Sequence, residues 1–245
     1  MKKILFSIVF LGVTLLLAHG PNHNKAEEAR KRGDYKDAVK YSLLQLDIDI
    51  DTYGEYSKET MITYGRLGIF SEKTGEYYEA LAYSFEALKI QKKLLNENHS
   101  TTATTYNNMG GIYSKLEKYK VALEYYFKSL KIQEIVFGKN HRSAAITNSN
   151  IAKVYRKQGK YNEALEYYKK SLKIRQETLD ENHYTIALAH SNIGLVYFKQ
   201  GKYAEALNEL DKTLKIRTKV FGKEHSFTKK TQKNIDYIKS KMLIK

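Results

Sequence analysis

The sequence has no cysteine and one proline. Without a thiol the chain can form no disulfide, no thiolate metal site and no cysteine nucleophile, and it has no cysteine to carry a lipoprotein-type lipid. With one proline, long helices can run without losing a backbone donor or meeting a ring clash. Signatures of catalysis are missing as well. No Gly-rich phosphate loop follows a strand, and neither Gly-x-Ser-x-Gly nor His-Glu-x-x-His occurs. Carboxylates such as Glu163 and Glu166 fall on the polar side of patterned segments, where a charge is usually a solvated face. The residues therefore predict no enzyme, no cofactor and no metal.

What is present is apolar and basic. Hydrophobic residues make up 42% and charged residues 28%, the balance of an ordered soluble chain. The 21 tyrosines suit half-buried helix seams, where the ring packs and the hydroxyl stays wet. The formal net charge of +15 is unevenly spread. Asp47, Asp49, Asp51, Glu55 and Glu59 stand against Lys58 alone, whereas the stretch 211–245 holds eleven Lys/Arg and three acids. A basic pole of this kind attracts acidic partners, nucleic acid or anionic lipid heads. A high background pI on a solvated surface is the plainer reading.

The N-terminus reads as a targeting segment. Lys2 and Lys3 precede an apolar run from Ile4 to Ala18, the build of a secretory signal. Fifteen residues are short for crossing a bilayer. Ala18 and Gly20 are small residues at the positions a signal peptidase reads, but Pro21 is a poor first residue after a cut. Two outcomes follow: export to the periplasm or the outside after cleavage, or anchoring in the membrane by residues 4–18.

The strongest feature is a repeat. Gly33-Asp34-Tyr35 recurs as Gly75-Glu76-Tyr77, Glu117-Lys118-Tyr119, Gly159-Lys160-Tyr161 and Gly201-Lys202-Tyr203, at steps of 42 residues. Three residues after each Tyr stands Ala38, Ala80, Ala122, Ala164 or Ala206. Seven before each Gly slot stands Ala26, Gly68, Gly110, Ala152 or Gly194, and Ile48, Ile90, Ile132, Ile174 and Ile216 close the second segments. Each copy reads as two helices about a tight turn: Ile151, Val154 and Tyr155 make one stripe, and Ala164, Leu165, Tyr168 and Leu172 another. Gly ends the leading helix at its C′ position. The small columns let the two helices approach. One unit cannot bury its apolar face alone, so the copies stack.

These columns resemble the tetratricopeptide repeat. The 42-residue period and the connecting segments Ile90 to His99, Ile132 to His141, Ile174 to His183 and Ile216 to His225 resemble its longer, kinesin-light-chain variant. The resemblance implies an all-α tetratricopeptide solenoid, a right-handed superhelix of antiparallel helix pairs. The expected segments are a signal or anchor over 1–20, repeats over 22–56, 57–98, 99–140, 141–182 and 183–224, and a capping helix within 225–245. The first repeat has a short leading helix, from about Asn24 to Arg32. Three features depart from the family pattern. Ser100, Arg142, Tyr184 and Ser226 stand where that family usually has Pro, Glu117 replaces the turn glycine, and Ser57 replaces the connecting histidine.

The candidate site is a ladder two residues before the small column: Asn24, Arg66, Asn108, Asn150, Asn192 and Asn234. A step of one repeat places them in a row on the concave wall. An Asn amide donates and accepts, so it can hold a peptide backbone whatever the side chains. The resemblance implies that work at this position; binding neighbouring helices together is the other reading. Lys73, Lys115, Lys157 and Lys199 form a second column at the helix ends, with Lys153 and Arg156 nearby. It favours acidic ligands, or it complements the helix dipoles. His99, His141, His183 and His225 lie one repeat apart, about 10 Å, too far to share a zinc with ligands at about 2 Å. They are expected to cap the following helices. The expected function is a protein-interaction scaffold that holds a protein or peptide in the concave groove, with acidic segments favoured. The alternatives are a basic surface for anionic lipid or nucleic acid, and a sensory partner of a separate signalling enzyme.

Overall fold

A computed structural model describes residues 20–243. The run 4–18, expected to be a signal or an anchor, lies outside them. The described residues form eleven α-helices and no strand. They are α1 (Pro21–Arg32), α2 (Tyr35–Tyr53), α3 (Lys58–Thr74), α4 (Tyr77–Leu94), α5 (Ser100–Lys115), α6 (Tyr119–Phe137), α7 (Arg142–Lys157), α8 (Tyr161–Thr178), α9 (Tyr184–Lys199), α10 (Tyr203–Phe221) and α11 (Ser226–Leu243). None of them is long and apolar enough to cross a membrane. The helix α1 starts at Pro21, three residues earlier than expected, because proline at the first helical position lacks only a donor that would be unpaired anyway.

The chain divides into two compact units after Ile112, within α5. In the first, α2 packs on α1 and α3, and α3 on α4. In the second, consecutive helices pack from α6 through α11. Its core is a series of clusters rather than one centre: Ala122 and Tyr126 meet Ile151 and Val154, and Ala152, Ala164 and Tyr168 meet Ile193 and Val196. Within this unit α7 to α10 each pack against the helix before and the helix after, as stacked repeats require.

The small columns sit where helices cross closely. Ala38, Ala80, Ala122, Ala164 and Ala206 are all 0% exposed. A Cβ added at Gly194 would lie 3.3 Å from the Ala206 carbonyl oxygen, so the two columns face one another. At the tight turns, Gly33, Gly75, Gly159 and Gly201 have φ between +74° and +92°. Glu117 fills the same slot at φ +59°, the one non-glycine residue with positive φ among the described residues. The turn keeps its form: Lys118 N–H bonds to the Tyr113 carbonyl at 2.9 Å, as Lys160 N–H does to that of Tyr155. Of the closing isoleucines, Ile90, Ile132 and Ile174 are buried while Ile48 is 41% exposed, so the first copy gives less apolar surface at that column.

The histidines act as helix caps. The Nδ1 atoms of His99, His141, His183 and His225 accept from the backbone N–H of Thr101, Ser143, Thr185 and Phe227 at 3.1–3.3 Å. In the first copy the Ser57 hydroxyl accepts from Thr60 N–H at 3.1 Å instead. The departure at Ser57 therefore keeps the cap and changes its chemistry.

Candidate functional site

A buried to half-buried polar column, one residue past the closing isoleucines, links trailing helices to the leading helices that follow. It reads Asp49, Gln91, Gln133, Arg175 and Arg217. Four members bond a threonine fourteen residues on: Thr63 to Asp49 at 2.6 Å, Gln91 to Thr105 at 2.9 Å, Thr147 to Gln133 at 2.9 Å and Arg217 to Thr231 at 2.7 Å. In the fourth copy the threonine slot is Ala189, so Arg175 lacks that partner. Its nitrogens reach only neutral acceptors: Ser171 Oγ at 3.2 Å, the Thr185 carbonyl at 3.4 Å and Ser149 Oγ at 3.5 Å. Burial pushes the Arg175 guanidinium below its ordinary value, with Tyr184 acting weakly the other way.

This exception lines a cavity of about 330 Å³ in the second unit. The leading helices α7 and α9 supply its walls, with Asn150 and Lys153 on one and Leu188 and Asn192 on the other. Arg175 and Tyr168 come from α8, and Arg156 completes the lining. Burial raises the Tyr168 phenol, and its hydrogen bond with Arg156 only partly offsets that. Three cations line the cavity and no carboxylate does. Among the described residues Lys153, Arg156 and Arg175 make no ion pair. A partly enclosed, uncompensated positive site suits a carboxylate, and arginine can grip one with two parallel bonds.

The ladder is distributed over three cavities. In the first unit Arg66 and Asn108 line one of about 200 Å³. In the second unit Asn150 and Asn192 line the cationic cavity, and Asn192 and Asn234 line one of about 300 Å³ beside α11. Arg66 is engaged by its own unit, with Nη1 at 2.7 Å from His23 Nε2. Asn24 is exposed within α1 and lines none of these cavities.

The lysine column behaves differently. Lys157 Nζ bonds to the Ser114 carbonyl at 3.3 Å and lies 5.6 Å from the Tyr119 ring centroid. It serves a helix end and a seam. Lys115, Lys157 and Lys199 line none of the three cavities that carry the ladder.

Arg175 and Tyr168 are the site residues that sequence reasoning missed. The signal was available in the 42-residue column of Asp49, Gln91, Gln133, Arg175 and Arg217, with a threonine at +14 in every copy but the fourth. Ala189 in that slot marks the arginine left over.

A family model described as "Tetratricopeptide repeat" matches four overlapping stretches, 59–135, 101–177, 142–216 and 185–235. No curated protein matches by sequence. Among solved structures, the nearly identical TPR-like repeats assigned to a kinesin light chain of Podosopora anserina superpose with TM-score 0.70 at 20% identity, covering 82% of this chain and 95% of that one. BtubC (BKLC) from P. vanneervenii gives TM-score 0.72 at 23% identity, over 80% of this chain and 78% of that one. The apo form of RapI gives 0.67 at 22%, over 84% of this chain and 55% of that one. These likenesses show a shared all-α solenoid fold, and the family matches span most of the helices: the chain belongs to the tetratricopeptide repeat family.

Proposed function

We propose that this chain is a non-catalytic scaffold that holds a peptide or partner protein on the face of its leading helices. Repeats of this family generally serve protein interaction, and their fold is generally not catalytic. One observation carries the finer reading. Asn150 and Asn192, one repeat apart, share a cavity with Lys153, Arg156 and Arg175, and no carboxylate lines it. The two amides can donate to and accept from a ligand backbone, and the cations select an acidic side chain. Asn108 offers the same amide in the other unit. The long-range field of a chain at +15 draws acidic partners toward the site.

The test is affinity capture from an envelope or extracellular extract, comparing the native chain with the variant Asn108→Ala/Asn150→Ala/Asn192→Ala. Circular dichroism should be the same for both, and the partner should be retained only by the native chain. Equal retention by the variant would sink the groove reading. We also propose export, supported by Lys2, Lys3 and the apolar run 4–18. Fractionation with N-terminal sequencing tests it: a chain found only in the cytoplasm with Met1 intact contradicts export.

A further inference from the structure

We infer that two copies of this chain pair through α2, packed antiparallel about a two-fold axis. This goes beyond the scaffold reading and uses a face which that reading leaves free. Helix α2 is the trailing helix of the first repeat. Its outward stripe reads Lys36, Lys40, Leu43 with Leu44, Asp47 and Asp51. These positions share one side at helical spacing, and all are exposed. The two leucines in the middle are 38% and 46% exposed. Among the described residues, the side chains of Lys36, Lys40, Asp47 and Asp51 make no ion pair.

The order of the charges points to a second copy. The lysines lie in the N-terminal half of α2 and the aspartates in the C-terminal half. Lys36 stands in the first turn and Asp51 in the last, each the unfavourable sign for the helix's own dipole. At the matching slots α6 and α8 run the other way: Glu124 precedes Lys131, and Glu166 precedes Lys173. In α8, Glu166 also pairs with Lys170 of its own helix at 2.6 Å. The slot of Asp47 is lysine in every other copy, as Lys89, Lys131, Lys173 and Lys215. The stripe of α2 is symmetric about a point between Leu43 and Leu44. Laid antiparallel on itself, it sets Lys40 against Asp47 of the second copy and Lys36 against Asp51, with Leu43 on Leu44 at the axis. Each contact then occurs twice, as a two-fold interface requires. Parallel pairing would set like charges together. From Lys36 to Asp51 the helix rises about 22 Å, and a crossing of about +20° keeps contact over that length. Residues 20–112 hold twelve Lys/Arg and fourteen Asp/Glu, so this part of the chain is close to neutral and two copies of it can approach. The pair presents two leading-helix faces, and a partner with two binding segments gains by avidity.

The test is sedimentation velocity on the full chain, in a concentration series reaching about 100 µM, because an interface of one helix per chain is small and falls at the weak end of affinities. The native chain should pass from monomer to dimer. Lys40→Asp and Asp47→Lys should each raise the dissociation constant at least about tenfold, since each sets like charges together twice. An equimolar mixture of the two variants should restore the dimer, because each chain then meets the opposite charge at both places. Lys40→Asp/Asp47→Lys in one chain should restore it too. Both positions are exposed, so circular dichroism should be unchanged throughout. A native chain that stays monomeric over the whole series overturns the inference. A dimer that both single variants leave intact also overturns it, and places the contact on residues 4–18 or another face. Loss of the dimer in both single variants with no recovery in their mixture overturns it as well.

Discussion

Glu117→Gly should stabilise the protein. Glu117 holds φ +59° in a turn slot that glycine fills in the other four copies. A left-handed conformation costs a residue with a Cβ about 1–2 kcal/mol, and glycine removes that cost. Glycine also frees the unfolded chain, which takes back about 0.5–1 kcal/mol. The Glu117 side chain is exposed and makes no hydrogen bond or ion pair among the described residues, so its removal loses no contact. The net gain is about 0.5–1 kcal/mol, or roughly 1–4 °C in melting temperature for a chain of this size. The assay is thermal unfolding followed by helical circular dichroism. The converse change, Gly159→Glu, meets no atom within 4 Å of the new Cβ, so its cost should come from the backbone alone and be of similar size. If Glu117→Gly lowers the midpoint, or if Gly159→Glu is neutral, the strain argument is wrong.

Thr147→Val leaves the buried Gln133 Oε1 without its 2.9 Å donor, and chemical denaturation should show a loss of about 1–3 kcal/mol. Ala164→Leu forces a larger side chain into a crossing where the alanine is 0% exposed, and should cost at least about 1–3 kcal/mol in the same measurement. Glu209 predicts an acid dependence. Burial alone would raise its carboxyl, but hydrogen bonds from His190 at 2.6 Å and Lys212 at 2.7 Å hold it below its ordinary value. A depressed carboxylate stabilises the fold above the ordinary carboxylate range and loses that effect as pH falls through the depressed value. The melting-temperature advantage of the native chain over Glu209→Gln should therefore shrink on acidification; a gap that stays constant down to pH 3 would contradict this.

The repeat was legible because its columns are imposed by close packing. Only small residues fit where Gly194 faces the Ala206 carbonyl, and only a left-handed residue ends α3, α7 or α9 so tightly. Period and helix pairs followed from those constraints. The register of the ladder was legible in part: a fixed period carries Asn150, Asn192 and Asn234 to cavity linings, whereas Asn24 lines none. Side-chain choice inside the site was not. The reach of Lys157 back to Ser114 depends on a neighbouring helix end, which no local pattern encodes. The importance of Arg175 arises from a missing partner at Ala189, an effect visible only when the two columns are read as a pair. The start of α1 at Pro21 shows a smaller error: the helix was expected from about Asn24, and the proline three residues earlier is where it begins.

The central claim is that Asn150 and Asn192 hold a ligand backbone. Nuclear magnetic resonance of the side-chain amides, assigned by Asn150→Ala and Asn192→Ala, tests it most directly. On titration with a Gly/Ser peptide carrying one Glu, both amide pairs should shift together and saturate with a single affinity. Binding of that peptide with both amide pairs unmoved would contradict the account.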